Sequence, residues 1–160
     1  MYLTDETLRT GSGVVRVDHA DYGPMLAGQL REFLGKHACH ISLRPVLDPD
    51  HVPAVDAYEI PARIRDAVRV RQIASVFPFS GARFGLDLDH TTPYDPAGPS
   101  GQTSVTGLGP VARGEHNSRT HGRWTVTSPH PGVYLWRSTH GFYFLVTNQG
   151  TQSLGPLPAT

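Results

Sequence analysis

Two short stretches constrain this chain more than anything else in it. Residues 86–93 read LDLDHTTP, and residues 107–121 read GLGPVARGEHNSRTH. Leu86 and Leu88 alternate with acids, the period-two pattern of a strand, and Phe84 extends it. That strand closes on Asp89 and His90. Neighbouring strand residues face opposite sides, so the pair predicts an end or a bulge there, which Thr91, Thr92 and Pro93 favour. A gap rich in Gly, Pro, Ser and Thr follows. The second stretch predicts a short helix carrying His116, with Arg119 and Thr120 on its face at three and four residues' spacing. His121, five residues on, rotates off that face and reads as a helix-end residue. Each of Asp89, His90 and His116 would suit a turn by itself. As a set they match one-metal phosphodiester chemistry, in which one group holds the ion, one activates water and a third completes the coordination.

The wider sequence carries a resemblance. Residues 44–48 (RPVLD), 55–65 (VDAYEIPARIR), 76–80 (VFPFS), 86–94, 119–124 (RTHGRW) and 131–136 (PGVYLW) take part in it. With these segments the chain resembles the HNH endonuclease family, built on a ββα-metal finger. More narrowly, it resembles actinobacterial repeat-element proteins that end in an HNH domain. The resemblance implies an α+β fold: a small HNH-like core, preceding helices and a C-terminal antiparallel hairpin or meander. It implies an HNH nuclease-like domain at 55–147, and a helix/strand segment at 1–54 left from a longer upstream domain. It implies DNA as partner, His90 as general base, and Asp89 and His116 holding one divalent ion (Mg, Mn or Zn). An imidazole titrates near neutrality, which suits the base. A carboxylate suits a hard cation completed by water and phosphate oxygen. Arg119 stands where the family has lysine, keeping the charge with a different geometry.

The departures matter as much. Gly107 stands at the family's asparagine, expected near the helix start, where that side chain braces the loop bearing the base. Ser104 or Thr106 is the substitute on hand. Gly109 and Gly114 would each weaken a helix interior by up to about 1 kcal/mol, and Pro110 suits only a first turn. Ser75, Ser80, Ala112 and Glu115 stand where many relatives have the Cys and His ligands of a structural zinc. None is a thiol or imidazole, so no structural zinc is expected. Phe77, Phe79 and Phe84 are expected to fill that space. Cleavage is therefore expected to be weak or lost. The competing functions are a non-catalytic DNA-binding module and an inactive remnant of a repeat element.

Composition narrows the rest. The 160 residues suit one domain with appended helices, and 38% hydrophobic content gives a modest core. Fourteen basic and fourteen acidic residues cancel, so no global field attracts nucleic acid. DNA binding then needs a local basic patch. Arg63, Arg65, Arg69 and Arg71 form the dense run, and it reads either as a phosphate-contacting face or as a solvated one. One cysteine, Cys39, excludes an internal disulfide. His37, Cys39 and His40 lack a second ligand cluster and read as helix-end residues. No apolar run is long enough to span a membrane, the N-terminus lacks a signal peptide's pattern, and no small-molecule cofactor is expected. The cytoplasm is the simplest location.

Further elements follow from periodicity. A short strand is expected at 14–17 and a helix at 24–37, with Met25, Leu26, Leu30, Phe33 and Leu34 as its core stripe. An edge strand is expected at 40–47 because Pro45 cannot donate to a ladder. A second helix is expected at 61–72, with Ile64, Ala67 and Val68 facing inward. Strands are expected at 124–127, 133–136 and 142–146, their aromatics forming core. Residues 148–160 read as a disordered tail.

Overall fold

The computed structural model describes residues 1–17, 23–37, 40, 42 and 49–156. Cys39 and nearly all of the edge strand expected at 40–47 lie outside them. The chain is α+β, and it separates into two units, Met1–Pro45 and Val46–Thr160. Among the described residues no helix is long and apolar enough to cross a membrane.

In the first unit, helix α1 (Asp5–Thr10) opens on Thr4, whose hydroxyl accepts from the Thr7 N–H at 3.0 Å. Gly11 ends it at φ 69°, a left-handed position that glycine takes without steric cost. Strand β1 (Val14–Val15) pairs antiparallel with β2 (Met25–Leu26). Helix α2 (Ala27–His37) then starts three residues later than expected. Its stripe is not the core that periodicity implies. Leu30, Phe33 and Leu34 are half-buried and Leu26 is exposed, so α2 buries no described residue fully. Spacing gives the stripe, but burial needs a packed surface opposite it.

In the second unit, helix α3 (Ala62–Arg71) buries Ile64, Ala67 and Val68 as expected. They pack with Val105 and Leu108, and Leu88 joins them from the side. Each such side chain contributes about 1.5–3 kcal/mol when fully buried. Strand β3 (Leu86–His90) pairs antiparallel with β4 (Leu108–Ala112), and helix α4 (Arg113–Gly122) follows directly. A hairpin thus leads straight into a helix. Gly109 and Pro110 lie in β4, not in the helix, and Gly107 sits just before that strand. The cause is tertiary. A β-carbon on Gly109 would stand 2.6 Å from Val76 Cγ2 and 3.1 Å from Tyr134 Cε1. The Pro110 carbonyl accepts from the Val76 N–H at 2.8 Å. Close approach requires the glycine, and Pro110's missing donor is tolerated in a two-stranded ladder.

Strands β5 (Thr125–His130), β6 (Val133–Arg137), β7 (Phe142–Thr147) and β8 (Gly150–Pro156) form a four-stranded antiparallel meander in that order. Strand β8 corrects the tail expected to be disordered from 148, at least to Pro156. Its residues are mostly exposed, and six of them pair with β7. Pairing with a formed neighbour, rather than burial, holds it, so hydrophobic pattern gave no sign of it. Val76, Val111, Val126, Tyr134, Trp136 and Val146 form the core beneath the meander, with Phe77, Trp124 and Phe144 against it. Of the three phenylalanines expected to fill the space near Ser75, Ser80, Ala112 and Glu115, Phe77 packs against this core, 5.0 Å from both Trp124 and Trp136. Phe79 and Phe84 are exposed, at 71% and 46%. The turn that carries Phe79 points it outward onto Phe144, 5.6 Å away.

Candidate functional site

The ladder between β3 and β4 stays regular through Asp89↔Gly109 and His90↔Leu108. Of the two outcomes expected there, an end or a bulge, the strand takes the first: no bulge intervenes and it ends at His90. Asp89 and His90 therefore leave the strand on opposite faces. Asp89 turns toward α4. His90 turns toward the loop 91–107 and the segment that carries Tyr58. Both still line one small cleft with Thr91, Gly109, Arg119 and Trp136.

On the α4 side, Asp89 Oδ1 lies 3.7 Å from His116 Nε2. The other carboxylate oxygen, Oδ2, accepts from Arg119 Nη1. Arg119 Nη2 also donates to the Thr91 carbonyl at 3.1 Å. Asp89 and Arg119 side chains are 18% and 14% exposed, so this ion pair is shielded, whereas His116 is 37% exposed. Spacing of three along α4 places His116 and Arg119 over the same strand end. Thr120 does not reach it. Its hydroxyl donates back to the His116 carbonyl at 3.0 Å. His121 is exposed in the last helical turn, as expected.

The residue pair tests well against a weakly held divalent cation. Two ligands on a tetrahedral ion at about 2.1 Å lie roughly 3.4 Å apart, close to the observed spacing. The donor set, one carboxylate and one imidazole, is borderline-hard. Among the described residues no group of three or more His, Cys, Asp or Glu gathers, and a divalent cation commonly completes its coordination with water and substrate oxygen. Arg119 already occupies one of the two carboxylate oxygens and balances the charge of Asp89.

His90 is 7% exposed. Its Nε2 meets Thr103 Oγ1 at 2.8 Å, and Thr103 Oγ1 in turn donates to the Ala57 carbonyl. A hydroxyl has one proton to give. Thr103 gives it to Ala57 and must accept from His90, which places the proton of the neutral ring on Nε2. Nδ1 is left as the lone-pair nitrogen. Burial holds the His90 pKa below its ordinary value. The Asp89 charge opposes that shift and Arg119 reinforces it. The ring is thus a neutral acceptor at neutral pH, as a general base must be.

The loop is braced, by Ser104 as expected and also by the Gly107 backbone. Gly107 cannot brace with a side chain, yet its backbone takes part. Its carbonyl accepts from the Thr91 N–H at 2.9 Å and the Thr91 hydroxyl at 3.2 Å, and its N–H donates to Ser104 Oγ at 3.0 Å. Ser104 is one of the two substitutes expected. Thr103, fully buried, is the residue that holds His90. Nothing local singles it out among the Ser and Thr of that loop. Loop closure alone brings it to His90.

Of the four positions that the resemblance compares with zinc ligands, Ser75, Ala112 and Glu115 do converge. Ser75 Oγ donates to Glu115 Oε2 at 2.5 Å, and the Ala112 N–H donates to the same oxygen at 2.7 Å. A carboxylate thus pins the Ser75 turn to the start of α4 by hydrogen bonds. Ser80 instead caps its own turn, accepting from the Ala82 N–H at 3.2 Å.

The arginines of α3 are not gathered with this cluster. The helix packs on the Leu88–Leu108 face of the hairpin, and α4 lies over the Asp89 face. Arg63, Arg65 and Arg69 are exposed, and Arg65 Nη2 donates to the Ile60 carbonyl at 3.0 Å. Of the four cations expected at phosphate, Arg119 is the one at the site. No known protein family, curated protein or solved structure matches the chain.

Proposed function

We propose that this chain is a divalent-cation-dependent endonuclease-like protein of the HNH, ββα-metal kind, hydrolysing DNA phosphodiester bonds slowly. The observation that carries the proposal is the 3.7 Å approach of Asp89 and His116 at the hairpin–helix junction. In this scheme Asp89 and His116 hold the cation. The cation, when bound, supplies charge stabilisation at the phosphate and its leaving oxygen. His90 Nδ1 accepts the proton of the attacking water. Thr103 and Ala57 fix the ring's tautomer and aim, which matters because a base misplaced by about 1 Å can lose a hundredfold in rate. Arg119 offers its planar guanidinium to phosphate oxygens.

The slow rate follows from Arg119. Its ion pair with Asp89 must be loosened before both carboxylate oxygens are free. The same contact favours a second reading, a DNA-binding module in which the guanidinium has replaced the cation for good.

Supercoiled plasmid incubated with the protein and magnesium, manganese or zinc separates the two. The first reading expects nicking by the wild type that EDTA abolishes and that His90→Ala and His116→Ala both lose. Nicking that survives His90→Ala refutes the assigned chemistry. Salt-sensitive DNA retention without nicking, for every ion tested, leaves the binding module.

A further inference from the structure

Tyr58 is 73% exposed, the highest exposure among the large hydrophobic residues of the described chain. It is nevertheless fixed in place. Its ring lies nearly parallel to His90, 5.8 Å between centroids at 17°. Tyr94 meets it edge-on at 5.7 Å and contacts His90 at 6.0 Å. One face of Tyr58 rests on the ring assigned as general base, and its exposure leaves the other face to solvent.

The backbone under this ring is tied to the loop that closes the site. Val55 and Thr103 exchange N–H···O bonds at 2.9 and 3.1 Å. Asp56 accepts from the Gly101 N–H, and the Ala57 carbonyl accepts from Thr103. A ring already resting on a buried neighbour has less conformational entropy to lose on meeting a flat partner than a free one. Phe79, Phe84 and Phe142 of this unit are exposed too, but none of them lies against His90, whereas Tyr58 stacks on that buried ring with an outward face that core packing does not explain.

Resting on the nucleic-acid reading of the same site, we propose that Tyr58 and Tyr94 form a stacking platform for one unpaired nucleobase beside the scissile phosphate, so that the preferred substrate is single-stranded DNA. Bases in a duplex hide their faces in the stack, so only an unpaired or extruded base can lie on Tyr58. The balance of fourteen basic and fourteen acidic residues points the same way. A chain without net positive charge gains little from duplex phosphates, and stacking supplies affinity that needs no charge.

The test reads binding, not cleavage. Fluorescence anisotropy in EDTA compares a labelled single-stranded oligonucleotide with a duplex of the same sequence, for wild type, Tyr58→Ala, Tyr58→Phe and Tyr94→Ala. The wild type is expected to prefer the single strand. Tyr58→Ala should weaken single-strand binding about tenfold or more. It should leave duplex binding and the salt slope unchanged, and Tyr58→Phe should restore the affinity. Unchanged single-strand affinity in Tyr58→Ala, or an equal loss on duplex, overturns the platform. So does a Tyr58→Phe protein as weak as Tyr58→Ala. Thermal melting checks that the exposed substitution leaves the fold intact. Tyr58-dependent single-strand binding without metal-dependent nicking would sink the hydrolase and keep the platform. Nicking with no role for Tyr58 would do the reverse.

Discussion

Thr103→Val is the most searching single substitution. It keeps the side chain's shape and removes one buried hydroxyl. That hydroxyl accepts from His90 Nε2 at 2.8 Å and donates to the Ala57 carbonyl, and Thr103 is fully buried. Valine strands a donor on His90 and an acceptor on Ala57. Each orphaned group costs about 1–3 kcal/mol, so a loss of roughly 2–4 kcal/mol is expected after partial relaxation. Against a total stability of about 5–15 kcal/mol that is large, and it corresponds to a fall in Tm of roughly 6–15 °C. Thr103→Ser keeps the hydroxyl and should lose only about 1 kcal/mol for the methyl. Urea unfolding of the three proteins measures the difference. Nitrogen NMR of His90 should show the Nε2–H tautomer in wild type and Thr103→Ser, and a mixture in Thr103→Val. A Thr103→Val protein within about 0.5 kcal/mol of wild type, its tautomer unchanged, would refute the bridge.

His90 also makes stability depend on pH. Its folded pKa lies below the ordinary 6.5 because burial disfavours the charged ring. Between the folded pKa and 6.5 the unfolded chain binds more protons than the folded one, so stability falls as pH drops through that window. Above it His90 contributes no slope. Urea unfolding from about pH 8 down to about pH 5 should show this fall, and His90→Asn should flatten it. An unchanged slope in that variant would assign the effect elsewhere. Glu115→Ala should lose about 2–3 kcal/mol, because both Ser75 and the Ala112 N–H lose their acceptor. Glu115→Gln, which keeps an acceptor oxygen, should lose less. Equal melting of Glu115→Ala and wild type would show that the turn is held without it.

Local signals in the sequence reached far in the second unit. The apolar spacing of Ile64, Ala67 and Val68 placed α3 and its buried face, and the alternation at Leu86 and Leu88 placed β3. Three of the four meander strands were legible in runs of β-branched and aromatic residues. The helix bearing His116 was expected, and so was the face it shares with Arg119. These features depend on periodicity, which sequence carries in full. Helix boundaries fared worse. Gly109 is expected inside the helix and Pro110 in its first turn, yet the Val76 and Tyr134 contacts draw them into β4. Strand β8 left no pattern because its neighbour holds it. The stripe of α2 shows the opposite failure, a good pattern whose residues are not fully buried among the described residues.

The sequence by itself determined which residue types stand at the hairpin's end and at the helix's start, and therefore which chemistry is open to this protein. Only the tertiary structure decided how they are coupled. It set Arg119 on the carboxylate of Asp89, locked His90 to Thr103 across a closed loop, and left Tyr58 bare above that ring. Residue identity is local information. Coupling between residues distant along the chain depends on how loops close and helices dock, and no short-range period encodes that.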